Sequence, residues 1–318
     1  MPSLSSVRSR PRALSLSLSL SLSLYIHTQT RARAHTHTHC LQIFEGTRVG
    51  EVRFWCLQAV EEQLLHHYSA LEDSARAGLR TWLQTLACQN PGLLRGQGYL
   101  ANKLAQVYAL LMRHEYPNLW PHALTALLSH LQMGEDVIDM FLRVLRAVDA
   151  EIINVECHGS ASDAGVAMRV KDGMRLQCMS DIAGAWYLIL QTFHQTRAGL
   201  VQDCLRSMAA FIPWLDIHLI VNDKFVPALY SLLEKDEFVE EVAACLTEIV
   251  LKKMEPAAKR ALISSVIDLG TLQSSLERRS KHVGGHVEVS RTCHQSAARV
   301  TWGVGHLEDA CRVPSINP

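Results

Sequence analysis

Histidine and cysteine side chains cluster near the start of the chain, at His35, His37, His39 and Cys40. Imidazole and thiolate groups are ligands for zinc and copper, so a metal site is one interpretation of this cluster. The His-Thr alternation, however, follows an unbroken Leu-Ser alternation over residues 14–24, and both have the form of translated dinucleotide repeats. We therefore favour low-complexity sequence over a metal site, and we expect no metal and no cofactor.

The sequence motifs of nucleotide binding and hydrolysis are missing. Gly96 and Gly98 form a G-x-G, but position 101 is alanine and no strand pattern precedes it, which argues against a dinucleotide site. The pair His114-Glu115 lacks the second histidine of H-E-x-x-H, and the chain contains neither a P-loop nor a G-x-S-x-G. The paired carboxylates of the chain are neighbours in sequence, so on a helix their side chains point in different directions and do not form a catalytic pair. We therefore expect that the protein is not an enzyme.

Basic residues form small clusters with the chemistry to contact phosphate groups. Lys171 and Arg175 lie four residues apart on one predicted helix face, and Arg169 is nearby on the next turn. Lys252 and Lys253 form a second pair at a predicted helix end. Phosphate contact is one interpretation of these residues. The other is that they face water or favour the helix dipole, so both interpretations stay open.

The charge balance limits the kinds of partner. The chain has a formal net charge of zero, but residues 54–280 contain 26 acidic and 20 basic residues, which gives −6. A protein that binds nucleic acid without regard to sequence is expected to be basic. An RNA partner would therefore require a local basic stripe, recognition by shape, or the help of a second partner. No run of 18 apolar residues exists, so we expect no membrane insertion.

The chain divides into three segments. We interpret residues 1–50 as low-complexity sequence that is either disordered or a gene-model artefact, with a transit peptide or a secretory signal as alternatives. Residues 51–280 carry a strong helical period. Residues 281–318 lack that period and contain many Gly, Ser, Thr and Pro residues, so we expect a disordered or non-native tail.

Apolar residues in the middle segment recur at helical spacing. Stripes of this kind run along residues 54–68, 100–111, 137–148 and 238–249. Further helices are predicted at 72–88, 118–131, 161–178, 180–195, 199–212, 224–234 and 256–270. Their centres recur about every 20 residues, so a pair forms a unit of about 40, which is typical of HEAT or armadillo repeats. We therefore predict an all-α superhelical solenoid with a concave binding face.

Several residues in this segment are predicted to be structural. Tyr108 and Trp120 are expected in the core, because a buried aromatic ring contributes packing and its polar atom needs only one partner. Trp214 and Asp216 are expected at a corner between helices. Nine cysteines without a C-x-x-C suggest neither a zinc site nor a disulfide framework. Those on apolar stripes are predicted to be small core residues.

Two groups of motifs resemble known nuclear transport receptors. The stretches NKLAQV, HEYP and LWP, at 102–107, 114–117 and 119–121, resemble the N-terminal region of the importin-β (karyopherin) superfamily. The stretches VIDMFLRVL, AMRVKDGMR and WLDIHLIVND, at 137–145, 167–175 and 214–223, resemble the exportin-T family, especially its plant form. The similarity runs from about residue 54 to about residue 269. The first helix pair and the long C-terminal part of the family's superhelix have no counterpart, so we expect only the N-terminal part of a truncated solenoid.

The resemblance implies a carrier that takes transfer RNA through the nuclear pore and shuttles between nucleus and cytoplasm. In the exportin-T family, the GTP form of the small GTPase Ran and a mature transfer RNA bind together inside the superhelix. The N-terminal repeats grip Ran, and both halves wrap the RNA. The expected partners are therefore Ran-GTP, transfer RNA and nuclear pore proteins, bound by a monomeric receptor. The alternatives are a karyopherin for protein cargo, a HEAT scaffold that does not bind Ran, or a truncated chain without transport activity.

The same resemblance suggests contact residues. Asn102, Lys103 and Glu115 lie in the superfamily motif and are candidates for Ran contact, although helix capping and polar bonds between helices are the other interpretation. The candidates for transfer RNA contact are the basic residues Arg169, Lys171, Arg175, Lys252 and Lys253.

Overall fold

A computed structural model gives the fold of the protein and describes residues 36–154, 160–266 and 274. Every regular element within those ranges is helical, as predicted. The helices are α1 Thr36–Gly46, α2 Gly50–His66, α3 Asp73–Cys88, α4 Gly98–Glu115, α5 Ala123–Ser129, α6 Glu135–Val148, α7 Ala161–Gln177, α8 Met179–Phe193, α9 Ala198–Phe211, α10 Phe225–Leu233, α11 Val239–Leu251 and α12 Pro256–Val266. Short 3₁₀ turns occur at Tyr68–Ala70, Pro91–Leu94, Leu131–Met133 and Ile217–Leu219, and a π turn at Asp149–Ile153 follows α6.

The helices form two compact units, and the division falls between Val170 and Lys171, inside α7. In the first unit, α4 lies between α2 and α6, and these three helices form one layer. Helices α1, α3 and α5 form a second layer, in which α3 contacts both of its neighbours. In the second unit, α9 packs against α8 and α11, while α10 packs against α11.

Helix α6 shows how the sequence determines an element. Its N-cap residue is Gly134, whose φ of 139° lies in a region that side chains rarely allow. Glu135 and Asp136 occupy the first turn and Arg146 the last, which suits the helix dipole at both ends. The apolar stripe faces inward, with Phe141 fully buried. Truncating Phe141 to alanine would cost about 3–5 kcal/mol of stability.

Aromatic side chains fill the core of the first unit. The rings of Phe44 and Trp82 meet edge to face, with centroids 5.2 Å apart. Those of Tyr108 and Trp120 lie 4.6 Å apart, and both residues are buried, which confirms the core prediction. The Tyr108 hydroxyl donates a 2.6 Å hydrogen bond to the Ala123 carbonyl oxygen, so its polar atom is satisfied inside the core.

Aromatic side chains also pack in the core of the second unit. The Phe211 ring lies 5.6 Å from Trp186 and 5.0 Å from Trp214, which joins α8, α9 and the corner that follows α9. At this corner, the Asp216 carboxylate accepts a hydrogen bond from the His218 backbone N–H at 3.1 Å. The predicted corner at Trp214 and Asp216 is therefore confirmed.

The cysteines within the described residues are buried thiols. Burial raises the pKa of Cys40 and Cys88 to about 11 and, with the nearby Cys40, that of Cys56 to about 12. It also raises the pKa of Cys204 and Cys245. These groups stay protonated at neutral pH and act as small core residues, as predicted for cysteines on apolar stripes. The described cysteines are Cys40, Cys56, Cys88, Cys178, Cys204 and Cys245, and the remaining three lie outside the described residues.

The structure differs from the sequence prediction at α1, which lies inside the segment interpreted as low-complexity. The repeat pattern ends at His39, and the next residues place Cys40 and Phe44 on one apolar face, where both are buried. The Trp82 indole N–H donates to the Glu45 carboxylate at 3.1 Å, which ties α1 to α3. An ordered helix thus begins before position 51, and residues 1–35 lie outside the described residues.

Two smaller differences concern the region between α4 and α7. Helix α5 begins at Ala123 and not near position 118, because Pro117 and Pro121 lack the N–H of a helix interior and restrict the residue before them. Between the predicted helices at 137–148 and 161–178, the chain begins with a π turn, in which Ile152 and Ile153 are buried. Helices α2 to α12 otherwise fall where the apolar period predicted them.

Candidate binding surface

The candidate residues Asn102 and Lys103 lie on α4 and contact the two neighbouring helices of the same layer. The Lys103 ammonium forms an ion pair with Glu61 of α2, and both side chains are mostly buried, at 13% and 15% exposed. It also donates to Gln106 Oε1 at 3.0 Å. Asn102 is exposed and accepts a hydrogen bond from Arg143 of α6. Lys103 thus has the inter-helix bonds given above as the alternative, while Asn102 stays accessible.

The candidate Glu115 lies in a buried polar cluster at the end of α4. Its carboxylate has no exposed area. One oxygen accepts from Arg80 of α3 at 2.7 Å, and the other accepts from the Tyr68 hydroxyl at 3.0 Å. Because both oxygens have partners within the first unit, a direct contact between Glu115 and another protein would require these bonds to open.

The imidazole of His114 stacks on the same tyrosine. The rings of His114 and Tyr68 are nearly parallel, 4.0 Å apart, and His114 Nε2 lies 2.9 Å from the Leu64 carbonyl oxygen. Burial lowers the pKa of His114, and the nearby Arg113 and Arg169 lower it further, against the opposing effects of the Leu64 carbonyl and Glu115. The favoured state is a neutral ring that donates its Nε2 proton to Leu64.

Burial also affects the tyrosine at the centre of this cluster. It raises the pKa of Tyr68 to about 12, and the neighbouring Glu115 carboxylate adds to the effect. The guanidinium of Arg76 lies 4.7 Å from the Tyr68 ring and donates to the Tyr68 carbonyl oxygen at 3.3 Å. The hydroxyl therefore stays protonated and acts as a hydrogen-bond donor to Glu115. The cluster joins α2, α3 and α4.

The π turn after α6 brings a second polar network onto α4. Glu151 accepts a hydrogen bond from Gln106 at 2.8 Å through its side chain, and one from Arg113 at 3.1 Å through its carbonyl oxygen. Arg113 also pairs with Asp163 in the first turn of α7. Bonds from the Ser160 backbone and side chain, and then the Arg113 charge, lower the pKa of Asp163.

The candidate Arg169 closes the C-terminal end of α4. Its guanidinium donates to the carbonyl oxygens of Arg113 at 2.6 Å and Tyr116 at 3.2 Å. The last carbonyls of a helix have no partner within the helix and interact favourably with cations. Arg169 thus has a structural partner set in the first unit, a role that the sequence interpretation did not include.

Arg175 and Lys252, in contrast, are brought together at the corner after α9. Arg175 pairs with Asp172 at 2.7 Å and donates to the Trp214 carbonyl oxygen at 2.8 Å, while its guanidinium lies 5.4 Å from the Trp214 ring. The Lys252 ammonium donates to the carbonyl oxygens of Ile212, Pro213 and Leu215. Both cations therefore have backbone partners in the second unit.

The last two RNA candidates differ from these. Lys253 follows α11 and is exposed, so it is available to a phosphate group. Lys171 is half-buried and has a partner of its own within the described residues. A role in RNA contact stays a prediction for all five basic candidates, as a role in Ran contact does for Asn102, Lys103 and Glu115.

The sequence interpretation missed most of the partners in these networks. Arg80, Arg113, Arg143 and Glu151 were not singled out, because each reads as an ordinary surface residue of its own helix. A signal was nevertheless available in the spacing of opposite charges. Lys103 and Glu61 are 42 residues apart, and Arg95 and Asp136 are 41 apart, close to the length of one repeat.

The residues that the structure describes contain no group of three or more His, Cys, Asp or Glu side chains with the arrangement to hold a metal ion. His39 is exposed, Cys40 is buried, and His35 lies outside those residues. Among the same residues, no helix combines the length and the apolar character that crossing a membrane requires.

Comparison with known proteins tests the predicted resemblance to the exportin-T family. The family described as "Exportin 1-like protein" matches residues 97–246. The protein Exportin-T of Arabidopsis thaliana is 35% identical over 238 residues, which is 71% of this chain. Exportin-T of Danio rerio is 35% identical over 70% of the chain, and that of Homo sapiens is 33% identical over 70%. The predicted resemblance to exportin-T is confirmed.

The same match tests the predicted fold class and shows how much of each relative the chain covers. The helical layers and the exportin family match together confirm the predicted HEAT-repeat solenoid class. The chain spans about a quarter of the length of these relatives, 24% of the Arabidopsis protein and 23% of the human one. This partial coverage is consistent with the predicted similarity to the N-terminal part of the family.

Proposed function

We propose that this protein is a nuclear export receptor that binds Ran-GTP and transfer RNA and carries the RNA through the nuclear pore to the cytoplasm. The observation that carries the proposal is its 33–35% identity to Exportin-T proteins of plants and animals over about 70% of the chain. In this proposal the receptor is a monomer that shuttles between the two compartments and meets nuclear pore proteins on the way.

The mechanism is binding that is coupled between two partners. An A-form RNA stem offers phosphates and 2′-hydroxyls more readily than base edges, so a solenoid is suited to recognise it by shape. If Ran-GTP and RNA favour the same arrangement of repeats, each strengthens the other's binding by about 1–3 kcal/mol. Hydrolysis of GTP then weakens both interactions and releases the RNA.

The charge of the helical segment favours Ran over RNA as the principal partner of this part of the receptor. Residues 54–280 carry a net charge of −6, which disfavours an RNA backbone as a partner held by charge alone. Arg169, Arg175 and Lys252 already donate to backbone carbonyls. Asn102 is the exposed member of the Ran set, and Lys253 and Arg175 are the exposed members of the RNA set. Of these two, Arg175 is already bonded to Asp172 and to the Trp214 carbonyl oxygen. We therefore propose Asn102 as a Ran contact and Lys253 as a phosphate contact.

The test is the binding of fluorescently labelled transfer RNA to the full chain, followed by anisotropy, with Ran locked in its GTP form, with Ran-GDP, and without Ran. We expect RNA to bind only with Ran-GTP. In a parallel measurement of Ran binding alone, we expect a preference for the GTP form. A protein cargo in place of RNA tests the karyopherin alternative.

Variants at the exposed candidates sharpen this test. Asn102→Ala is expected to weaken Ran-GTP binding, and Lys253→Glu to weaken RNA binding in the presence of Ran while leaving Ran binding unchanged. Glu62→Gln changes an exposed position of α2 outside both candidate sets, so it serves as the control and should alter neither interaction. Association with Ran that is independent of the nucleotide would support a scaffold and contradict the export receptor.

A further inference from the structure

The corner after α9 gathers backbone oxygens around a single nitrogen. Helix α9 ends at Phe211, and the chain turns through the residues that follow. The carbonyl oxygens of Ile212, Pro213 and Leu215 lie 2.9, 3.1 and 2.8 Å from Lys252 Nζ. We call these three oxygens the carbonyl cage. These residues follow the helix, so their carbonyl oxygens have no intrahelical partners and need donors from elsewhere in the fold.

The number of donors matches the number of acceptors. An ammonium group has three N–H donors and no acceptor, and here three oxygens receive them. The fourth carbonyl of the corner, that of Trp214, accepts from Arg175 at 2.8 Å instead. Each carbonyl from position 212 to 215 therefore receives a bond from a cationic side chain. Backbone carbonyl oxygens are the groups that replace the hydration shell of small cations in proteins.

The surroundings hold the ammonium group in place. Lys252 is half-buried at the end of α11, and its stem crosses from α11 to the corner after α9. Burial lowers the pKa of Lys252, the nearby Arg175 lowers it further, and Asp216 opposes them. With every N–H bonded to the cage, no donor of Lys252 points to a phosphate group. The neighbouring Lys253 is exposed and has no such bonds among the described residues.

We propose that the carbonyl cage is a binding site for a primary ammonium ion, which the Lys252 side chain fills and which a free alkylammonium ion occupies when that side chain is removed. Occupancy of the cage fixes the corner between α9 and α10. This inference goes beyond the proposed function and does not depend on it, because it concerns a bond set inside one unit of the chain.

Chemical rescue in the full chain tests the proposal. Lys252→Ala is expected to lower Tm by about 3 °C or more and to speed amide hydrogen exchange at residues 212–222. Propylammonium chloride matches the atoms that the substitution removes, so it should restore both. Tetramethylammonium chloride has no N–H donor and propanol has no charge, so neither should restore them at the same concentration. Lys253→Ala, the matched control, should change nothing at the corner.

Two results would overturn the proposal. One is a Lys252→Ala protein with the same Tm and exchange as Lys253→Ala. The other is equal restoration by tetramethylammonium, which would reduce the effect to ionic strength. If Lys252→Ala does not fold, acetylation of the unaltered chain decides the matter. A caged amine should react about tenfold more slowly than Lys253, because its reaction requires local opening, and equal rates would contradict the cage.

Discussion

The two units are joined internally by different kinds of polar bond. In the first unit, buried ion pairs join neighbouring helices, such as Arg80 with Glu115 and Lys103 with Glu61. Arginines of this unit, such as Arg169, also donate to backbone carbonyls. In the second, cationic side chains mostly donate to backbone carbonyls, as Lys252 and Lys235 do. Arg206 of this unit also pairs with Glu241.

The difference has consequences for stability. The stability that a buried ion pair contributes depends on both side chains keeping their charge, because removal of one leaves the other charge buried and uncompensated. A carbonyl oxygen does not titrate, so a bond to it depends mainly on the length and reach of the donor. We therefore expect the first unit to respond strongly to loss of charge and to pH, and the second to respond to truncation of single lysines.

Loss of the buried carboxylate in the first unit should have the largest effect. Glu115→Ala leaves Arg80 and the Tyr68 hydroxyl without their partner, and we expect the free energy of unfolding of this unit to fall by about 3–5 kcal/mol. Urea denaturation, followed by hydrogen exchange in peptides from α2 to α4, measures it. The exposed Glu62→Gln is the control, and an equal midpoint for the two variants would contradict the role of the cluster.

The second-largest effect is expected at acidic pH, where the first unit should lose stability. The pKa of His114 is lowered in the fold, so the folded state binds fewer protons than the unfolded state. The stability that this provides is complete above the ordinary histidine pKa of about 6.5 and is lost as the pH falls below it toward the lowered pKa. We expect a lower denaturation midpoint for this unit at mildly acidic than at mildly alkaline pH.

The substitution His114→Gln isolates this contribution, since a glutamine amide keeps the capacity to donate to the Leu64 carbonyl and has no titration of its own. The variant should flatten the pH dependence of hydrogen exchange in α4 over the same interval. A dependence as steep as in the unaltered chain would assign the effect to another group.

A smaller effect is expected in the second unit when one lysine loses the ammonium group that donates its hydrogen bond. Lys235 donates to the His194 carbonyl oxygen at 2.9 Å, just beyond the end of α8. Lys235→Met keeps most of the stem and removes the donor, which should cost about 1–2 kcal/mol. Thermal unfolding measures it, with the exposed Lys224→Met as the control. A larger loss than that of Glu115→Ala would reverse the comparison between the units.

The smallest effect is expected for an exposed ion pair. Arg95 is 76% exposed and pairs with Asp136. Solvent screens such a pair, so Arg95→Gln should leave the urea midpoint of the first unit unchanged. A measurable shift would show that exposed pairs contribute to this unit as well as buried ones.

Much of the fold could be predicted from the sequence because apolar period is a local property. The stripe of α6 or α11 is visible in one stretch of chain, and so is the pair length of about 40 residues. Helix α1 was missed because its apolar face is only two turns long and follows directly on a repeat pattern. The late start of α5 shows that a proline spacing can override an apolar stripe.

The candidate site was less predictable because the role of a charged residue depends on its partner. Arg169 and Lys252 have the same sequence appearance as Lys253, yet two of the three donate to carbonyls. Nothing within ten residues of Lys252 shows that three oxygens some 40 positions earlier lie within its reach. Only the stacking of one repeat on the next brings such groups together.

The spacing of these bonds also has a consequence for how the chain acquires its structure during synthesis. Lys252 reaches oxygens 37 to 40 residues earlier, and Lys103 reaches a carboxylate 42 residues earlier. Because partners this close meet quickly, folding can nucleate locally and spread from repeat to repeat. A ribosome that adds about 5–20 residues per second would supply each new set of partners within seconds. Each completed repeat would then offer a finished surface to the one that follows.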